Sequence, residues 1–325
     1  MKNIFLYFST LMIYFFNTFS TFSQYPTYIV VSKDNNGDFN NIQEAINSCK
    51  SFPDKRITIF IKKGIYNEKV EIHSWNTNIH LIGENKDSTI IVNSDYAGNR
   101  KNGTFYTYTL KVNANDCIIE NITIINAAGE VGQAVALHTE ADRILIKNCN
   151  IVGNQDTLYA AGENCRQYYK NCYIEGTTDY IFGAATALFE NCIIHSKKDS
   201  YITAASTPER IKYGFVFINC KLTADSGISK VYLGRPWRQY AKTVFINCYM
   251  GEFIAPEGWH NWNNPEAEKN TFYAEFKNYG PGANTNNRVK WAYQLSTKQI
   301  KEYSIEKIFS GEFTKTYKEK NWFKY

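Results

Sequence analysis

From about residue 117 the chain repeats one short phrase: alternating apolar residues, an Asn, usually a Cys, then another apolar pair. It reads Ile118-Ile119-Glu120-Asn121-Ile122-Thr123-Ile124, then Ile144-Leu145-Ile146-Lys147-Asn148-Cys149, then Tyr168-Tyr169-Lys170-Asn171-Cys172. It returns as Leu188-Phe189-Glu190-Asn191-Cys192, Phe215-Val216-Phe217-Ile218-Asn219-Cys220 and Val244-Phe245-Ile246-Asn247-Cys248. Successive Asn residues are 27, 23, 20, 28 and 28 positions apart. A period in this range combined with two-residue alternation predicts short strands stacked as a solenoid. No helical pattern fills the gaps, so the expected fold is all-β, a parallel β-helix. Unequal spacing then means loops of unequal length leaving one side of uniform coils.

The coils extend upstream. Thr58-Ile59-Phe60-Ile61, Ile79-His80-Leu81-Ile82 and Thr89-Ile90-Ile91-Val92 are strand-like. Ile42, Ala45 and Ile46 recur at helical spacing, which predicts a short helix capping the open end of the stack. Residues 255–295, rich in Asn, Gly and Pro, are expected to be irregular structure packed over the solenoid. Residues 297–310 return to helical spacing. Nothing resembles a linker, so residues 24–325 are expected to form one domain.

Residues 1–23 have the form of a secretory signal: Lys2, an apolar run from Ile4 to Phe16, and small residues Thr21 and Ser23 before Gln24. Export to the periplasm or the exterior is the corresponding expectation, with no membrane association once the leader is removed. No later stretch reaches the roughly 20 apolar residues that a helical span requires.

Composition adds little that is specific. Hydrophobic content of 44% and charged content of 21% are those of a globular chain. The 24 Tyr, 21 Phe and 6 Trp suit stacking on sugar rings, although core filling is the default for any single ring. A net charge of +5 is compatible with an acidic polymer and does not demand one. Five of the eight Cys fall in Asn-Cys pairs and read as small buried residues along an interior ladder. Their alternation partners, expected on the same interior face, are mostly apolar: Val216, Ile218 and Leu222 around Cys220, and Val244, Ile246 and Met250 around Cys248. Disulfide pairing between rungs stays open. The five His are scattered without ligand spacing, so neither a metal nor a cofactor is expected.

Candidate chemistry lies in the phase of the repeat. Asp156 and Asp179 are 23 residues apart, each eight residues after an Asn-Cys pair. On adjacent rungs they would lie about 4.8 Å apart at the backbone. Two carboxylates that close do not ionise independently. Extending the step backwards reaches Gln133, which predicts a column of Gln133, Asp156 and Asp179 with Gln155 alongside. One ionised Asp can attack a carbonyl, the other can protonate a leaving group, and amide N–H groups can hold an oxyanion. In-phase polar residues also cap turns, and Asp199 shares the count without such helpers. In Leu233-Gly234-Arg235-Pro236-Trp237, Arg235 can orient a carboxylate and Trp237 can stack on a sugar.

These segments resemble the pectin methylesterase (pectinesterase) family. The matching motifs are Gly64-Ile65-Tyr66-Asn67-Glu68, Gln133-Ala134-Val135-Ala136-Leu137, Gln155-Asp156-Thr157-Leu158-Tyr159, Asp179-Tyr180-Ile181-Phe182-Gly183 and Leu233-Gly234-Arg235-Pro236-Trp237. Gly280-Pro281-Gly282-Ala283 and Arg288-Val289-Lys290-Trp291 also match, in family order. The resemblance implies a right-handed parallel β-helix and removal of methyl esters from homogalacturonan (pectin). It implies Asp179 as nucleophile, Asp156 as general acid and then base, and Gln133 and Gln155 as oxyanion donors. It further implies Arg235 as the residue orienting the nucleophile, and Trp237, Tyr159 and Phe182 as substrate contacts. Tyr180, Ala184 and Asn154 depart from the common family residues, at positions that the resemblance assigns to cleft lining and packing. The segment Ile202–Pro208 looks closer to bacterial members. The expected partner is methyl-esterified polygalacturonan, with no nucleic acid, and the expected state a monomer. A β-helix hydrolase or lyase acting on pectin, a retaining glycosidase using the Asp pair and a non-catalytic pectin binder are the alternatives.

Overall fold

The computed structural model describes residues 25–99, 103–310 and 321–324. The leader read at residues 1–23 lies outside them. Each coil contributes a strand to each of three parallel sheets, which have 11, 8 and 7 strands among the described residues. The sheets wrap one continuous interior, from Ile29 at one end to Tyr273 near the other. This is the parallel β-helix that the repeat predicts.

The repeated Asn explains how each coil turns. Asn121, Asn148, Asn171, Asn191, Asn219 and Asn247 all take φ between 51° and 56°. Asn tolerates this left-handed conformation far better than most residues. A single left-handed residue therefore turns the chain from the 11-stranded sheet into the 8-stranded one. The Asn148 side-chain amide also donates to the Asn121 side-chain Oδ1 one rung away, at 2.5 Å.

The turn has a second consequence, which corrects an expectation. Inward and outward positions change phase across the Asn, so Phe217 and Cys220 both face the interior. Val216, Val244 and Ile246 instead pack on the outer face of the 11-stranded sheet, where Ile308, Phe309, Trp322 and Phe323 cover them. Ile218 packs partly buried on that same outer face. Leu222 and Met250, which follow the turn, keep the expected inward direction.

All eight Cys are free thiols. The ladder Cys donate to carbonyls of the preceding coil, as Cys192 does to Tyr169 at 3.4 Å and Cys220 to Phe189 at 3.4 Å. Many aromatics are core filling: Tyr169, Phe189, Phe217 and Phe245 stack at centroid spacings of 4.7, 4.4 and 4.4 Å.

The ends agree largely with expectation. The Ile42–Ser48 helix caps the open end, burying Ile42, Ala45 and Ile46. Asn41 accepts the Glu44 N–H as its N-cap. Residues 255–295 are less irregular than their composition suggested, since they carry the Pro265–Asn270 helix and a Phe272–Phe276 strand that joins the 11-stranded sheet. The Gln299–Glu302 and Ile305–Phe309 turns of helix match the later helical spacing. Among the described residues, no helix is long and apolar enough to cross a membrane.

Candidate active site

The 7-stranded sheet presents a row of side chains in register: Glu71, Lys111, His138, Tyr159, Phe182, Ala204 and Arg235. Asp156 and Asp179 stand at the entry to two neighbouring strands, Leu158–Ala160 and Ile181–Gly183. Their N–H groups make equivalent bonds to the next rung, Asp156 to the Thr178 carbonyl at 3.1 Å and Asp179 to the Tyr201 carbonyl at 2.9 Å. Both take left-handed backbone, with φ of 63° and 49°. Here the turning residue is Asp, which shares the tolerance of Asn for that conformation. The expected proximity of the pair is thus present.

Gln133 is not in that column. Gln133 pairs with Gln155 rather than with Asp156. The reason is a bulge: the Ala136 and Leu137 N–H groups both bond to the Thr157 carbonyl, at 2.8 and 3.1 Å. One extra residue in the first strand moves the register by one place. Both glutamines nevertheless line a cleft of about 280 Å³ with Asp156, Asp179, Arg235, Phe182 and Trp237.

Arg235 grips Asp179 in two places, Nε to Oδ1 at 2.9 Å and Nη2 to Oδ2 at 2.6 Å. The preceding Gly234 lets its strand lie against the next one, because a Cβ there would come within 2.0 Å of Thr203 Oγ1. The guanidinium is held between two rings, 3.9 Å from the Tyr201 centroid and 3.7 Å from that of Trp262.

The two carboxyls are therefore unequal. Burial raises the pKa of both. At Asp179 the hydrogen bonds and charge of Arg235 oppose that rise. At Asp156 the Asp179 charge adds to burial and carries the pKa well above the ordinary carboxylate range, with Arg235 offsetting only part. Asp156 is thereby favoured as the protonated partner and Asp179 as the ionised one. That division suits a nucleophile beside a general acid.

Asp199 does something else. It sits two residues before Tyr201, the true register partner of Asp179, and accepts the Ser229 and Lys230 N–H groups at 2.8 and 2.9 Å. Tyr159 lies behind the cleft wall, stacked on Phe182 at 4.5 Å and on Phe105 at 5.0 Å. Tyr180 points into the core, its hydroxyl 2.9 Å from Ser196 Oγ. Tyr180, Ala184 and Asn154, which depart from the common family residues, are not among the residues lining the cleft.

Phe105, Tyr201 and Trp262 belong to this site and are absent from the sequence-based set. A forward step of 22 residues from Asp179 would have found Tyr201. Trp262 lies in a segment without period, and Phe105 in a short turn, so neither carries a repeat signal.

Comparison with known proteins places this geometry among relatives. The family model described as Pectinesterase matches residues 28–312. A pectinesterase/pectinesterase inhibitor of Prunus persica is 39% identical over 303 residues, covering 87% of this chain and 57% of that protein. A pectinesterase of Petunia integrifolia is 39% identical, covering 80% of this chain and 73% of its own. The chain spans about half the length of several curated relatives, with coverage of 57%, 56% and 50% in three of them. Among solved structures, carrot pectin methylesterase superposes with a TM-score of 0.79 at 31% identity, covering 84% of this chain and 89% of its own. The pectin methylesterase PemA of Erwinia chrysanthemi gives 0.76 at 30%, covering 90% and 99%. A pectin methylesterase in complex with a hexasaccharide gives 0.77 at 31%, covering 90% and 99%.

Proposed function

Because this chain belongs to the pectinesterase family, we propose that it hydrolyses the methyl esters of homogalacturonan, releasing methanol and leaving galacturonate carboxylates. The observation that carries this reading is the unequal carboxyl pair, with Asp179 held by Arg235 and Asp156 pushed toward its protonated form. The hexasaccharide complex of a similar enzyme supports an oligosaccharide in the cleft.

The Asp179 carboxylate attacks the ester carbonyl carbon. Charge develops on the carbonyl oxygen, and the side-chain amides of Gln133 and Gln155 donate to it. Asp156 gives its proton to the methoxy oxygen, and methanol leaves. A water then attacks the acyl carbon while Asp156, now a carboxylate, takes its proton. Collapse of the second intermediate returns Asp179 as a carboxylate and frees the acidic product. Arg235 fixes the attacking carboxylate by its two-point bond. Trp237 and Phe182 form walls for sugar rings, and Tyr159 supports Phe182 from behind.

The remaining parts of this reading are a monomer acting outside the cytoplasm, with residues 1–23 as its removable leader and 24–325 as one domain. It requires neither nucleic acid nor a membrane. Assay of products from methyl-esterified pectin separates the possibilities. An esterase releases methanol with neither new reducing ends nor unsaturated sugars, and Asp179→Ala abolishes the release. A β-helix hydrolase or lyase would give the other products, and a binding protein would give none.

A further inference from the structure

Trp262 reaches the Arg235 guanidinium from a segment that nothing in the solenoid repeat dictates. Trp262 and Asn263 both have φ of 57°. Two consecutive left-handed residues other than Gly are costly and persist only where neighbours hold them. The holding contacts are local. His260 Nδ1 accepts the Trp262 N–H at 2.9 Å, and Asn261 Oδ1 accepts the Asn263 N–H at 2.9 Å. Asn261 is itself tied to Glu268 at 2.7 Å.

His260 is placed by the sheet. Gly234 pairs with Trp259, and the His260 N–H bonds to the Gly234 carbonyl at 3.1 Å. The segment thus adds a rung beyond the Tyr232–Pro236 strand, next to Arg235. The groups facing the imidazole are Tyr201 and Tyr232, edge-on at 5.4 and 5.5 Å, and the Arg235 charge. Lys230 lies 5.7 Å from the Tyr232 ring centroid. An Nδ1 that accepts a backbone N–H carries no proton, so the neutral ring is the Nε2–H tautomer. Protonation would turn this acceptor into a donor aimed at another donor, and would add a positive charge beside Arg235.

We propose that His260 is a positioning residue for the esterase reaction: its neutral ring, by accepting the Trp262 N–H, holds the indole on the Arg235 guanidinium, and its protonation releases it. The proposal rests on the esterase reading above. The clamp keeps the guanidinium plane aligned with the Asp179 carboxylate, so its release lowers turnover before it weakens substrate binding. Burial and the Arg235 charge both favour the neutral ring. Release therefore falls at a pH below the ordinary histidine value of about 6.5.

The test uses the full chain, with His260→Ala, His260→Asn and Trp262→Phe as a spectral reference. Asn offers a side-chain oxygen to the N–H two residues on and does not titrate. Trp262 fluorescence, taken as the difference from Trp262→Phe, is followed from about pH 8 to about pH 4. The kcat and KM for methanol release are measured over the same range. The expected wild-type signal changes with a single-proton titration that is absent in His260→Asn. His260→Ala should lose about tenfold in kcat with a smaller change in KM, while His260→Asn stays within about threefold at neutral pH. A titration that persists unchanged in His260→Asn, or a kcat for His260→Ala equal to wild type, overturns the proposal. A wild type that releases no methanol while its Trp262 signal still titrates through His260 defeats the esterase reading and upholds the clamp.

Discussion

Arg235 reaches Asp179 over the Tyr201–Ala205 strand that runs between them, joined by hydrogen bonds of 2.9 and 2.6 Å. The pair is largely buried, with 17% and 8% of the two side chains exposed. A bidentate guanidinium fixes both the direction and the charge of a carboxylate, whereas an ammonium supplies only charge. Arg235→Lys is expected to lower kcat for methanol release by about 10²-fold with little effect on KM, because a small misplacement of a reacting group carries a cost of that order. Steady-state kinetics on methyl-esterified pectin check this.

The Asp156–Asp179 carboxyl pair shapes the pH dependence. Activity requires Asp179 ionised and Asp156 protonated. Both pKa values are raised by burial, and Arg235 restrains only that of Asp179 substantially. The kcat/KM profile should be bell-shaped, with both limbs above the ordinary carboxylate value of about 3.9. The carboxyl limbs belong to the coupled Asp156–Asp179 pair rather than to either residue alone, and protonation of His260 adds to the fall on the acid side. Replacing Arg235 with Gln removes the restraint on Asp179, and the acid limb should move to higher pH.

Asp156 also predicts a stability difference. Its folded pKa is raised, so its contribution to stability is complete below the ordinary carboxylate pKa and is lost as pH rises through the folded value. Asp156→Asn cannot ionise and escapes that loss. Thermal melts should show the variant matching wild type in acid and melting above it at neutral pH, while methanol release is lost.

Gln133 and Gln155 are assigned to the oxyanion. Removing one such donor typically costs about 10²–10³-fold in kcat. Gln155→Ala should fall in that range with KM nearly unchanged. A change confined to KM would place the amide on the bound sugar instead.

The left-handed Asn residues predict where the fold is sensitive. Asn191 has φ of 53°. A β-carbon in left-handed backbone costs about 1–2 kcal/mol, and Asn escapes part of that cost. Asn191→Ala should destabilise by about 1 kcal/mol in urea unfolding, and Asn191→Gly by less.

The legibility of the chain follows from what each residue is held by. The Asn-Cys phrase was readable because one backbone conformation recurs at every coil and selects Asn each time. Asp156 and Asp179 were readable because they occupy one phase of that repeat. Gln133 was placed one position out of register because a bulge at Ala136 and Leu137 leaves no mark in composition. The outward direction of Val216 and Val244 was hidden by the phase change at the Asn. Trp262 could not be found from spacing, since its position depends on the His260 contact and on a segment that adds a single rung. Asp199 carried the right count and the wrong role, because the loop after residue 196 is longer than the one after residue 176.

The central claim is that Asp179 is the nucleophile and Asp156 its proton donor. Methanol release by Asp179→Asn beside wild type tests it most directly, with thermal melts confirming that both are folded. A fall of at least about 10³-fold is expected for a change of one carboxylate oxygen to an amide nitrogen. Release at the wild-type rate would contradict it.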